Sequence, residues 1–175
     1  PRAMPMERSS VGENPPEDEA ILAALFANGG TIEIQGNVAI GANAKGGTTR
    51  ILLSGADNQV ITHAAGVPPQ GQWTIDKTGG SAILATNLSL AGASQDLVWT
   101  NGALNLSSNT LTVGRDVSIG PDAATLGVTV ADASTAGRLH AAGTVSGIAN
   151  ADLAVKVTAE LAELQGQTFV IVSNS

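Results

Sequence analysis

The two histidines are the side chains best suited to general base catalysis or metal binding. His63 and His140 are the only imidazoles in the chain, and 77 positions separate them. Their immediate neighbours are Ala, Leu and Thr. A general base or a metal ligand is one interpretation, and a solvated or turn histidine is the more common one. We therefore interpret both as solvated or turn histidines. The sequence predicts no catalytic residue, no metal ligand and no cofactor.

A series of aspartates offers a second kind of chemistry. Pairs of carboxylates stacked on a β-helix would resemble the groove of a glycosidase or a lyase. Aspartate also commonly forms turns through hydrogen bonds to nearby backbone groups, and we favour this role. The aspartates concerned are Asp57, Asp76, Asp96, Asp116, Asp122 and Asp132.

The paired glycines suggest a calcium-binding β-roll, which repeats the motif Gly-Gly-x-Gly-x-Asp. The pairs that begin at Gly29, Gly46 and Gly79 are followed by Thr-Ile, Thr-Thr and Ser-Ala, without Asp at the ligand position. This difference argues against the calcium roll. The absence of Cys also excludes disulfides and thiolate metal sites.

Trp73 and Trp99 are the largest side chains in the chain and are candidate ligand-facing residues. Exposed tryptophan rings stack against sugars, but tryptophans flanked by polar residues on a strand equally fill a layer of the core. Gln72, Thr74 and Thr100 are such polar neighbours. We favour core packing for both rings and keep the ligand-facing role as the alternative.

The composition restricts both the core and the partners. Hydrophobic residues make up 43% of the 175 residues but aromatic residues only 2%, so small aliphatic side chains must build the core. A net charge of −7 with only 8 Lys and Arg residues argues against nucleic acid, which binds clustered basic side chains. The longest apolar run, residues 20–27, is much shorter than the roughly 20 residues that span a bilayer.

The beginning of the chain differs from the rest. Residues 1–19 contain four prolines among charged and small residues, which predicts a flexible lead. Prolines followed by carboxylates at residues 15–19 are typical of a helix start, and Asn28-Gly29-Gly30 of a helix end. We predict a short helix at residues 20–28 that caps the following domain. The proline at position 1 indicates a processed or excised chain.

Residues 29–175 show short alternating runs that end at Gly or Asn, the pattern of β-strands. About a dozen such runs, with no convincing helix between them, predict an all-β fold. The second interval between the Gly-Gly pairs is close to twice the first, and strand centres in residues 99–120 follow at intervals of six to seven. These spacings favour a β-solenoid with near-integral repeats, although the short intervals also fit a meander of hairpins.

Three segments resemble the passenger domains of bacterial autotransporters (type V secretion), toward their C-terminal end. They are residues 101–120, with Leu-Thr-Val-Gly-Arg-Asp-Val-Ser-Ile-Gly at their end, residues 143–157, and residues 166–172, Gly-Gln-Thr-Phe-Val-Ile-Val. The resemblance implies a right-handed parallel β-helix, export to the outer surface and a role in adhesion, aggregation or display. It also implies membrane contact only through a barrel downstream of residue 175.

These observations lead to one functional hypothesis and two alternatives. We expect a structural or adhesive β-helix segment of a secreted bacterial protein, displayed on the cell surface and without catalysis. Its expected partners are host or neighbouring-cell surface molecules or glycans, together with copies of itself. The alternatives are a polysaccharide-binding or polysaccharide-cleaving β-helix of the lyase or tailspike type, and a subunit of a self-assembling β-solenoid filament.

Overall fold

A computed structural model describes residues 19–21 and 28–175 of the chain. Within these residues the chain forms fourteen β-strands and a 3-10 helix, Ile148–Asn150. The strands are β1 (Glu19–Ile21), β2 (Thr31–Ile34), β3 (Asn37–Ile40), β4 (Arg50–Leu53), β5 (Gln59–His63), β6 (Trp73–Leu84), β7 (Leu88–Leu90), β8 (Leu97–Asn105), β9 (Thr110–Val113), β10 (Val117–Val130), β11 (Arg138–Ala141), β12 (Val145–Ser146), β13 (Asp152–Val157) and β14 (Val172–Asn174).

The strands wind into a parallel β-solenoid of about five turns. Every ladder between these strands is parallel, and each strand pairs with strands of the adjacent turns. A meander of hairpins would instead give antiparallel ladders. The predicted all-β fold and parallel β-helix are therefore confirmed.

The turns contribute strands to three surfaces, which we call faces A, B and C, although the two turns that contain β2 to β5 contribute strands to faces A and B alone. Face A contains β2, β4, β12 and the N-terminal parts of β6, β8 and β10. Face B contains β1, β3, β5, β13 and the C-terminal parts of β6, β8 and β10. Register shifts in β6, β8 and β10 mark the corner between these faces. Face C is the separate sheet of β7, β9, β11 and β14.

Apolar side chains of successive turns form columns inside the solenoid. On face A, Ile51, Trp73, Leu97 and Val117 lie in register, and all four are buried. Parallel pairing in register repeats the same side-chain direction about every 4.8 Å, so an alternating strand delivers its apolar residues to the same column. The local alternation of the sequence thus becomes a continuous core.

The turns differ in length, which corrects part of the predicted repeat. Thr31 pairs with Arg50, whereas Val117 pairs with Val145, so the second of these turns is nearly half as long again as the first. Gly29-Gly30 and Gly46-Gly47 precede the consecutive face A strands β2 and β4, but Gly79-Gly80 lies within β6. The second interval between Gly-Gly pairs therefore separates two different kinds of corner, and it does not correspond to two repeats of the solenoid.

The start of the predicted capping helix is a strand instead. Ala20 and Ile21 belong to β1 and pair with Val38 and Ala39 of β3. Parallel pairing with the first turn satisfies backbone groups that the helix would have paired internally, and a helix over residues 20–28 is not shown. Residues 22–27, and residues 1–18 of the predicted lead, lie outside the described residues.

Candidate functional site

The outer surface of face C carries a row of polar side chains from successive turns. Ser89, Thr112, His140 and Ser173 lie in register on β7, β9, β11 and β14. Thr110 and Arg138 form a neighbouring pair in the same ladder. We call these six residues the face C polar strip.

Arg138 and His140 converge on one hydroxyl of the strip. The Arg138 guanidinium donates a hydrogen bond to Ser173 Oγ at 3.1 Å, and His140 Nδ1 lies 3.0 Å from the same oxygen. Arg138, His140, Thr110 and Thr112 line a shallow depression. These groups provide donors and acceptors at the strand spacing of about 4.8 Å. Because none of the six residues is a carboxylate, the strip lacks the carboxylate pair that hydrolyses glycosidic bonds.

The two histidines lie on different faces and do not form a common site. His63 ends β5 on face B, and its Nε2 lies 2.7 Å from Gly66 O in the following corner. A Cβ atom on Gly66 would overlap Gly41 O of the preceding turn, so this corner admits only glycine without rearrangement. The His63 contact therefore belongs to a tight corner, whereas His140 is a half-buried strand residue on the outer surface.

Of the six aspartates, Asp132 has the predicted turn role, whereas Asp116 and Asp96 form hydrogen bonds with residues of an adjacent turn. Asp116 Oδ1 accepts a hydrogen bond from Thr144 N at 2.7 Å, and Asp96 Oδ1 accepts one from Arg115 Nε at 2.8 Å. Asp132 accepts hydrogen bonds from the backbone and the hydroxyl of Ser134. These carboxylates stabilise corners of the solenoid.

Asp96 and Asp116 stack on adjacent turns, where Asp116 N donates to Asp96 Oδ1 at 3.4 Å. A second column contains Asp76 and Asp122. Both pair in register with Asn101, which lies between them. Two strand spacings, about 9.6 Å, therefore separate their backbones. The column places an amide, and not a second carboxylate, next to each aspartate.

The Asp132 turn gives a prediction for pH titration. Hydrogen bonds from Ser134 N, Ser134 Oγ and Thr135 lower the pKa of Asp132 from 3.8 to about 2. Because the folded-state pKa lies below the unfolded value, this contribution to stability is present above pH 3.8 and is lost as the pH falls through about 2. We expect Ser134→Ala, which keeps the backbone donor, to raise the Asp132 pKa part of the way toward 3.8.

Carboxyl NMR titration of both proteins measures this change. Ser118→Ala removes an exposed hydroxyl from face A and serves as the control. An Asp132 pKa that is the same in all three proteins would contradict the hydrogen-bonded turn.

The structure does not support a ligand-facing role for Trp73 and Trp99. Only 2% and 0% of their surfaces are exposed. Trp73 Nε1 donates to Pro69 O at 3.0 Å and Trp99 Nε1 donates to Gly102 O at 2.9 Å. Both rings therefore fill the core, with their polar atoms satisfied inside it, as the favoured interpretation predicted.

Lys77 is a buried cation for which the sequence analysis predicted no role. Its surface is 0% exposed, and its Nζ donates to Gln59 Oε1 at 2.8 Å and to Ser54 O at 3.2 Å. Burial lowers the pKa of Lys77, an effect that the nearby charge of Asp57 opposes. Lys77 lies within β6. Nothing in the sequence around it predicts burial, because lysine is almost always exposed.

The described residues define a parallel β-solenoid with an apolar interior and a polar strip on one outer face. Among residues 28–175 and 19–21, no group of three or more His, Asp or Glu side chains is arranged to hold a metal ion. In the same part of the chain, no helix has the length and hydrophobicity to cross a membrane. Comparison with protein-family models, curated proteins and solved structures gave no match.

Proposed function

We propose that the chain is a structural and adhesive segment of a secreted bacterial protein, displayed on the cell surface and without catalysis. The resemblance of residues 101–120, 143–157 and 166–172 to autotransporter passengers supports export by the type V route. Parallel pairing between turns supports a rigid spacer, because each turn is hydrogen-bonded to the next along its backbone. The partners are glycans or other molecules on a host cell or a neighbouring cell.

The face C polar strip is the observation that carries this proposal. Its hydroxyl, imidazole and guanidinium groups stand in a row on the outer surface of one sheet. Sugar hydroxyls both donate and accept hydrogen bonds, so a row of mixed donors and acceptors suits an extended glycan. Arg138 adds a charge-assisted donor, which strengthens binding to hydroxyl or carboxylate groups. The glycan lies along the solenoid axis and contacts successive turns.

A binding assay on immobilised acidic and neutral glycans tests this site. We expect Arg138→Gln combined with His140→Gln to weaken glycan binding about tenfold or more, because the lost charge-assisted hydrogen bond of Arg138 alone contributes about 1.5–3 kcal/mol. Arg50→Gln is the matched control, since Arg50 is an exposed arginine on face A. Its binding should equal that of the unmodified protein.

Three outcomes would contradict the proposal. Equal binding by the double variant and the Arg50 variant would remove the strip as the site, and binding to no glycan would remove the glycan partner. Cleavage of a glycan, detected as new reducing or unsaturated ends, would favour the polysaccharide-cleaving alternative. Surface display is tested separately by antibody labelling of intact cells that produce the full-length protein.

A further inference from the structure

The shallow depression on face C lies on the side of the solenoid, between strands of adjacent turns. Thr110 and Thr112 of β9 line it together with Arg138 and His140 of β11. The other edge of β9 pairs with β7, and the other edge of β11 pairs with β14. Described strands therefore flank the depression on both sides, and its lining depends on the lateral surface of the fold.

Arg138 has hydrogen-bond donors that the described residues do not use. Its guanidinium group carries several N–H donors, and within the described part of the chain its side chain donates to Ser173 Oγ alone. In the same residues the ion pair present is that of Arg115 with Asp96, so no described carboxylate neutralises Arg138. A guanidinium in this state offers parallel N–H groups and a positive charge to an anion.

Ser173 Oγ connects Arg138 to His140 and favours one tautomer of the imidazole ring. The hydroxyl oxygen accepts a hydrogen bond from Arg138 and lies 3.0 Å from His140 Nδ1. Donation by a cation polarises the hydroxyl and makes its own hydrogen a better donor. When that hydrogen is donated to Nδ1, the proton of the neutral ring lies on Nε2. His140 then presents an N–H donor in addition to those of Arg138.

We infer that the depression binds the anionic group of an acidic sugar, so that the face C polar strip prefers an acidic glycan to a neutral one. This inference rests on the proposed function, because it specifies the ligand of the same site. Carboxylate and sulfate oxygens accept hydrogen bonds and donate none, which matches the donors of Arg138 and His140. The net charge of −7 repels an acidic glycan from the rest of the surface.

Three hyaluronan oligosaccharides of equal length test the preference by isothermal titration calorimetry. The first carries its natural carboxylates, the second has them reduced to hydroxymethyl groups, and the third is the reduced form with sulfate esters added. We expect the neutral oligosaccharide to bind about tenfold more weakly than the better of the acidic ones, because it offers Arg138 no anion. The better of the acidic ones identifies the anion as carboxylate or sulfate.

Variants assign the preference to particular side chains. Arg138→Gln should reduce acidic binding to the level of the neutral oligosaccharide, whereas Arg138→Lys keeps the charge without the planar group and should retain part of the preference. Arg50→Gln, which replaces an exposed arginine on face A, should retain all of it. In the free protein at about pH 8, where imidazole is neutral, ring nitrogen NMR should show the proton of His140 on Nε2.

The possible failures separate this inference from the proposed function. Equal binding of all three oligosaccharides that still weakens in Arg138→Gln would overturn the acidic preference and leave the glycan site in place. Binding of none of them would overturn both. A preference for acidic oligosaccharides that survives Arg138→Gln would overturn the assignment to the depression, and a proton on Nδ1 would overturn the role of His140 as a donor.

Discussion

Trp99→Ala is expected to lower the free energy of unfolding by about 3–5 kcal/mol, the range for removing a large aromatic side chain from a core. Trp99 is 0% exposed and lies in register between Ile75 and Ile119 of the adjacent turns. Alanine leaves a void in the middle of that column and removes the donor to Gly102 O. Since domains are stable by about 5–15 kcal/mol, this loss is a large fraction of the total.

Urea denaturation followed by far-ultraviolet circular dichroism measures the change. Val98→Ala is the matched control, because Val98 is the adjacent residue on the same strand and points to the outer side. Its expected loss is below about 1 kcal/mol. Equal losses for the two variants would contradict the position of Trp99 in the core. If Trp99 instead contacted a ligand, its replacement would weaken binding and leave stability largely unchanged.

Lys77→Met is expected to lower the free energy of unfolding by about 2–4 kcal/mol, because it leaves two buried acceptors unpaired at about 1–3 kcal/mol each. These acceptors are Gln59 Oε1 and Ser54 O, to which Lys77 Nζ donates. Gln59 cannot turn away without loss, because its Nε2 donates to Ile34 O at 2.7 Å and to Gly36 O at 2.8 Å. The buried lysine thus connects neighbouring turns through Gln59.

The same urea measurement, with Lys45→Met as the control, tests this prediction. Lys45 is exposed, so its replacement should change stability by less than about 0.5 kcal/mol. The double variant Lys77→Met with Gln59→Leu should lose less than the sum of the single losses, because the two side chains share a hydrogen bond. Strict additivity, or no loss for Lys77→Met, would contradict the buried contact.

Lys77 also makes the free energy of unfolding depend on pH in the alkaline range. Burial lowers its folded-state pKa below 10.5, so between the two values the unfolded chain binds more protons than the folded chain. The free energy of unfolding therefore rises with pH across that window, and the penalty for burying the charge is present at lower pH. The chain has no Tyr or Cys to titrate in the same range. Lys77→Met should remove the rise.

The sequence predicted the β-solenoid but not the exact length of its turns. Strands such as Thr110–Val113 show their alternation locally, and Gly and Asn residues mark the corners, so the element type follows from neighbouring residues. Turn length depends on which strands pair, and turns of clearly unequal length occur in one solenoid. The regular Gly-Gly spacing therefore gave a wrong prediction for Gly79-Gly80. Ala20 and Ile21 form a strand because the edge of β3 pairs with them.

The candidate site likewise depends partly on local sequence and partly on the tertiary structure. Composition and spacing by themselves determined an all-β chain with an aliphatic core. They predicted that His140 is a solvated or turn residue, whereas it is a half-buried residue of strand β11. Only the tertiary structure brought His140, Arg138 and Ser173 together, since 33 residues separate His140 from Ser173. It also decided that Trp73, Trp99 and Lys77 are buried. Strand patterns are local and can be read from the sequence, whereas register between turns is a property of pairing at a distance, and it selects which side chains become neighbours.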